Sequence, residues 1–193
     1  MIIYNMETTD IQQTAISGIV KNYIANKHGD IAAIELALDN ETIKISFPPH
    51  TAKIMMEKAG QGTFVKAVYK VERPKHDPKG TKNSKLQLLG ISGISGGDFV
   101  IADLKPQKLD GEPQVKKFSF SEYDLLKGKK GELVGITIGT KLFHIRKEDQ
   151  AVAGHIKAES TLEITAVKRL DAGFVNQNHD EVFHIQKLIV DHH

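Results

Sequence analysis

The stretch Thr42–Val71, TIKISFPPHTAKIMMEKAGQGTFVKAVYKV, is echoed later in the same chain by Lys141–Leu170, KLFHIRKEDQAVAGHIKAESTLEITAVKRL. Each copy reads as an alternating strand, a short helix and a second alternating strand, the apolar spacing switching from a period of two to a helical one and back. A strand–helix–strand unit inside an otherwise β-rich chain predicts a small closed barrel, and its repetition predicts two. The match keeps element order, turn glycines and helix placement together, so duplication explains it better than coincidence.

Read in order, residues 1–13 form an irregular lead-in, with Ile2, Ile3 and Tyr4 as a candidate edge strand. AISGIVKNYIA follows as a first strand, with Gly18 where a Cβ would obstruct a bend. NKHGD is a turn in which Gly29 supplies a positive φ. IAAIELAL and TIKISF alternate, placing Ile34, Leu36, Ile43 and Ile45 inward and Ala33, Glu35, Ala37, Lys44 and Ser46 outward. Pro48-Pro49 stops the third strand. HTAKIMMEKAG is a short helix with Ala52, Met55, Met56 and Ala59 on its apolar face and Thr51 as its N-cap. TFVKAVYKV and KLQLLGIS complete five strands, Val65 and Tyr69 facing inward, and DFVIAD is a candidate extra strand.

The second pass begins at FSFSEYDLL. KGKKGELVGITIG repeats NKHGDIAAIELAL, with Gly131 where Gly29 falls. Ile34 aligns with Ile136, Leu36 with Ile138, Val65 with Ile164 and Ala67 with Ala166. Phe143 and Ile145 join the second inward row. Glycines and prolines in GISGG and DLKPQKLDGEPQ mark a connection. The expected organisation is a first barrel over 1–104, a linker over 105–114 and a second barrel over 115–193.

Five strands with a helix between the third and fourth is the order of an OB-fold, a partly open Greek-key barrel. The chain therefore resembles the OB-fold superfamily in tandem, as in single-stranded DNA-binding modules. More narrowly, GDIAAIELALDNETIKISFPPH resembles an uncharacterised bacterial group of OB-like proteins. In that group a Gly-acidic pair, a hydrophobic strand and a Phe-Pro-Pro-His end recur. The second copy has IRKED where the first has FPPHT, so any role of His50 is not shared. The resemblance implies an all-β protein of two five-stranded OB-like barrels, each with one short helix. It also implies a binding surface on strands 2–3 and on the loops after strands 1 and 4.

The 193 residues suffice for two modest cores of about 95 residues each. A hydrophobic content of 40%, charged content of 26% and net charge of +2 describe an ordinary globular protein. So small a net charge implies no polyanion partner by itself; only its distribution can. The chain has no cysteine, which excludes disulfides, thiol catalysis and cysteine-ligated zinc. No signal peptide and no run of about 18 apolar residues is evident, so a cytoplasmic protein without membrane attachment is expected.

The strongest functional signal is a basic tract on the fourth strand and the loop after it: Lys66, Lys70, Arg73, Lys75, Lys79, Lys82 and Lys85, opposed only by Glu72 and Asp77. Such cations neutralise phosphates and release counterions, giving salt-sensitive affinity for single-stranded DNA or RNA. A solvated, lysine-rich loop explains the tract equally well. Arg146, Lys168 and Arg169 form a weaker equivalent in the second copy. Single-strand binding also wants aromatic platforms, and the outward positions of strands 2 and 3 hold none. Tyr69 falls in an inward row and reads as a core tyrosine.

The chain contains nine histidines but no HExxH and no cluster at ligand spacing, so scattered surface histidines are the better account. GISGISGGD lacks the lysine and helix of a phosphate loop, and no nucleophile elbow is present. The expectation is a non-catalytic binding module with no cofactor and no metal, taking single-stranded nucleic acid. The alternative is a protein- or oligosaccharide-interaction module.

Overall fold

A computed structural model describes residues 13–72, 84–93, 98–101, 104–108, 111–157, 159–178 and 181–191. The protein is predominantly β, with two short α-helices among the described residues. Two compact units are present. The first takes the chain up to Tyr23, then Ala33–Pro48 and Ile54–Leu104. The second takes Ile24–Ala32, Pro49–Lys53 and Lys105 onward. Neither unit is one continuous run of chain.

The first sheet contains β1 (Gln13–Ala25), β2 (Ile31–Ala37), β3 (Thr42–Ser46), β4 (Phe64–Glu72), β5 (Lys85–Ser92) and β6 (Phe99–Val100). Its order is β3-β2-β1-β4-β5-β6, and β3 also pairs in parallel with β5, Ser46 opposite Gln87. Helix α1 (Ala52–Lys58) follows a 3-10 turn at Pro49–Thr51 and separates β3 from β4. Ile34, Leu36, Ile45, Val65, Ala67 and Leu88 are buried, with Ile43 half-buried. Alternation produces this core: in β4 every second residue from Val65 to Tyr69 is buried.

Two expectations are corrected here. Ala33, expected outward, is buried. Ile31, two residues earlier on the same side of β2, is buried as well, so that side is covered at this end of the strand. Met56, expected on the apolar face of α1, is 36% exposed, whereas Ala52, Met55 and Ala59 are buried. The seven-residue helix buries only a narrow stripe.

Gly18 sits where the chain leaves no room for a Cβ. A Cβ there would stand 2.7 Å from the Ala37 carbonyl oxygen and 2.8 Å from a Leu38 methyl, so the close approach of backbone requires glycine.

The second sheet contains β8 (Val115–Phe120), β9 (Asp124–Lys127), β10 (Leu133–Ile138), β11 (Lys141–His144), β12 (Thr161–Lys168) and β14 (Glu181–Asp191), in the order β8-β12-β14-β11-β10-β9. Strands β7 (Gln107–Lys108) and β13 (Asp171–Ala172) pair separately, and α2 (Gln150–Ala153) lies between β11 and β12. Its core holds Ile136, Phe143, Ile145, Leu162, Ile164, Phe183 and Ile185, with the Phe143 and Phe183 rings stacked at 5.0 Å.

The two sheets repeat one set of pairings. β2–β3 and β10–β11 are antiparallel, as are β4–β5 and β12–β14, and β1–β4 and β8–β12. β3–β5 and β11–β14 are both parallel. The turn glycines match too: Gly29 has φ +80° and Gly131 +81°.

Candidate nucleic-acid interface

Of the first basic tract, Arg73, Lys75, Lys79 and Lys82 lie outside the described residues. Lys66 is exposed on β4. Lys70 is held by Glu72 at 3.3 Å, and exposed Lys85 stands opposite Glu72 across the β4–β5 ladder.

The solvent face of β4 carries a residue that the sequence reading passed over. Phe64 is 62% exposed, and Ile19, its direct partner on β1, is 48% exposed. Ser17 and Ser92 flank Lys66 in the next row. The row after that brings Ala15, Val68, Gly90 and Val100 together on four strands. A shallow groove of about 350 Å³ runs along this last row, bounded by Gln13 and Asp98. The surface thus offers an aromatic ring, a lysine two residues on and an apolar strip on one side of one sheet. Alternation signalled Phe64: once Val65, Ala67 and Tyr69 face inward, Phe64 and Lys66 must face out.

On β2 and β3 the expected ligand face has exposed Lys44, half-buried Glu35, Ala37 and Ser46, and no aromatic.

The second-copy cations are each engaged. Arg146 bonds the Asp149 carboxylate through Nε at 2.9 Å and reaches the Gln186 carbonyl at 3.0 Å. Lys168 contacts Glu181 at 2.6 Å, and Lys141 approaches the same carboxylate at 3.2 Å. Hydrogen bonds from these two lysines hold the Glu181 carboxyl below its ordinary range.

Arg169 is the most committed of the three. Its guanidinium makes two parallel bonds to Asp30, at 2.9 and 3.0 Å, and lies 4.4 Å over the Phe174 ring. Both side chains are nearly buried, at 10% and 7% exposure, so the pair is structural and not available to a ligand. Asn176 donates to Asp30 at 3.1 Å and to the His28 carbonyl at 3.0 Å, while Ile31 donates to the Val175 carbonyl at 2.9 Å. All of these residues belong to the second unit.

Three imidazoles border that pair. The His28 and His144 rings are 5.0 Å apart, and those of His144 and His184 are 5.6 Å apart. Burial pushes the His144 pKa down to about 4, helped by its imidazole neighbours and Arg169 against Asp30. His28 and His184 are also lowered, first by desolvation. His28 Nδ1 and His144 Nε2 are buried without a hydrogen-bond partner. Among the described residues no group of three or more metal-ligating side chains could hold an ion. This cluster, built from residues far apart in the chain, carried no sequence signal beyond the histidine count.

Comparison of the chain with protein-family models, curated proteins and solved structures gave no match. Among the described residues no helix is long and apolar enough to cross a membrane.

Proposed function

We propose that the protein is a non-catalytic binding module of two OB-like barrels that takes single-stranded nucleic acid on the solvent face of β1 and β4. The cyclic pairing β1-β2-β3-β5-β4, with the helix between β3 and β4 and the same pairings in the second sheet, supports the barrel reading. One observation carries the binding reading: Phe64, 62% exposed, beside Lys66 on the same face. A buried location would be the default for an aromatic of this size. Left in water next to a cation, it suits stacking against a base while the lysine contacts the adjoining phosphate. Each stacked base contributes roughly 1–3 kcal/mol. Lys85 extends the cationic side of this surface, with Lys70 paired to Glu72, and Arg73, Lys75, Lys79 and Lys82 belong to the same tract in sequence.

The test is fluorescence anisotropy of a labelled oligothymidylate at low and moderate salt. Wild type binds and weakens with salt, F64A binds roughly tenfold more weakly, and K66E lowers both affinity and salt sensitivity. Binding unaffected by both changes rejects the reading. A second reading, a protein-interaction surface, is favoured by the apolar character of Ile19, Val68 and Val100 on that same face. It predicts that F64A abolishes association with a protein partner and leaves oligonucleotide behaviour unchanged.

A further inference from the structure

The second unit has its own cationic row at the place where the first unit carries Lys66. Lys117 on β8, Thr165 on β12 and Lys187 on β14 are direct cross-strand partners, so all three point to the same side of the sheet. Both lysines are exposed and Thr165 is half-buried between them. They line a groove of about 390 Å³ together with Ser119, Glu163 and Ile189. The corresponding row of the first unit is Ser17–Lys66–Ser92. Thr165 stands where Lys66 does, since Ile164 matches Val65 and both are buried. The two units therefore share a row of lysines and hydroxyls: one central lysine in the first, two flanking lysines in the second.

Neighbouring strands are about 4.8 Å apart, which places the Lys117 and Lys187 Cα atoms roughly 10 Å from each other. Each ammonium sits on a flexible four-carbon stem, long enough for both to converge above the Thr165 hydroxyl. Two ammonium donors and one hydroxyl around a common point suit a tetrahedral oxyanion. Exposed Glu163 lies one row away on the same groove and offsets one of the two positive charges. A net charge of about one fits a phosphodiester, which carries a single negative charge, better than a phosphomonoester dianion. At the position matching Phe64 the second unit has Glu163, so this row offers no stacking platform.

We propose that the Lys117–Thr165–Lys187 groove is a phosphodiester-binding subsite, a contact to the backbone of the strand with none to its bases. The inference rests on the proposed function, and its test separates the two. Full-length wild type, K117Q/K187Q, K147Q/K157Q and F64A are titrated with labelled oligothymidylate across a salt series. Lys147 and Lys157 are exposed lysines between β11 and β12, outside the groove and away from the loops after the first and fourth strands, and serve as an equal-charge control. K117Q/K187Q is expected to bind roughly five- to tenfold more weakly than the control, with a salt slope shallower by about 0.7–1.4. If K117Q/K187Q matches the control while F64A is weakened, the subsite is overturned and the proposed function stands. If wild type fails to bind, both are overturned.

Discussion

Tyr23 and Tyr123 perform the same task in two successive units. The Tyr23 hydroxyl lies 3.0 Å from the Met55 carbonyl and 2.7 Å from that of Ala59, at the end of α1. The Tyr123 hydroxyl lies 2.8 Å from the Lys157 carbonyl and 3.1 Å from that of Ser160, just beyond α2. The Met55 carbonyl also accepts the Ala59 N–H at 2.8 Å and the Lys157 carbonyl the Ser160 N–H at 3.1 Å, so in both units a tyrosine from the first strand region adds a donor where the chain leaves a helix and carbonyls run short of partners. Burial raises the Tyr23 pKa well above its ordinary value, and desolvation raises that of Tyr123, so both stay protonated as donors.

Removing the Tyr23 hydroxyl by Y23F leaves two carbonyls in a buried setting without that donor. The expected loss is about 1–2 kcal/mol in urea unfolding. Y123F, at a more solvated site, should lose less than about 1 kcal/mol. Equal stability of Y23F and wild type would contradict this role.

Much of this was legible in the chain because it is local. Alternation places Val65, Ala67 and Tyr69 inward and by the same token Phe64 outward, and the turn glycines at 29 and 131 announce their positive φ. The assignment of Ala33 failed because alternation reports which side a residue faces, not whether that side is covered. The Asp30–Arg169–Asn176 network lay beyond reach for another reason. Asp30 and Arg169 are 139 residues apart, and no local pattern distinguishes a paired arginine from a solvated one. The chemistry that made Arg169 a phosphate-binding candidate, a planar fork of donors, is the chemistry that lets it grip Asp30.

The Asp30–Arg169 pair yields a prediction with a built-in control. R169A leaves the Asp30 carboxylate buried against Asn176 alone and should cost about 3–5 kcal/mol. D30N/R169M, which removes both charges and keeps the volume, should cost much less than the sum of the single changes. Additive losses in thermal unfolding would show that the two residues do not act as a pair.

The histidine cluster sets a direction for pH dependence. His144 has its folded pKa lowered from 6.5 to about 4, so folding favours the neutral ring. Its stabilising contribution is complete above pH 6.5 and is lost as pH falls from 6.5 toward 4. His28 and His184, lowered in the same direction, steepen the loss, and Arg169 on the same cluster opposes any added positive charge. Between pH 7 and 4.5 the protein should lose roughly 2–3 kcal/mol from this source. H144Q should flatten that slope. An unchanged slope in H144Q would place the acid sensitivity elsewhere.

Gly18 is expected to resist even the smallest substitution. G18A puts a methyl against the Ala37 carbonyl at less than van der Waals distance, forcing β1 away from the residues it packs on. A loss of about 1–3 kcal/mol is predicted, read as a lower urea midpoint at unchanged m-value.

The binding surface itself is tested most directly by mapping amide chemical shifts of the full-length protein during titration with unlabelled oligothymidylate. The account predicts dose-dependent shifts concentrated on Ser17, Ile19, Phe64, Lys66 and their β1–β4 neighbours, fading as salt is raised. Shifts confined to other surfaces, or none at low salt, would contradict it.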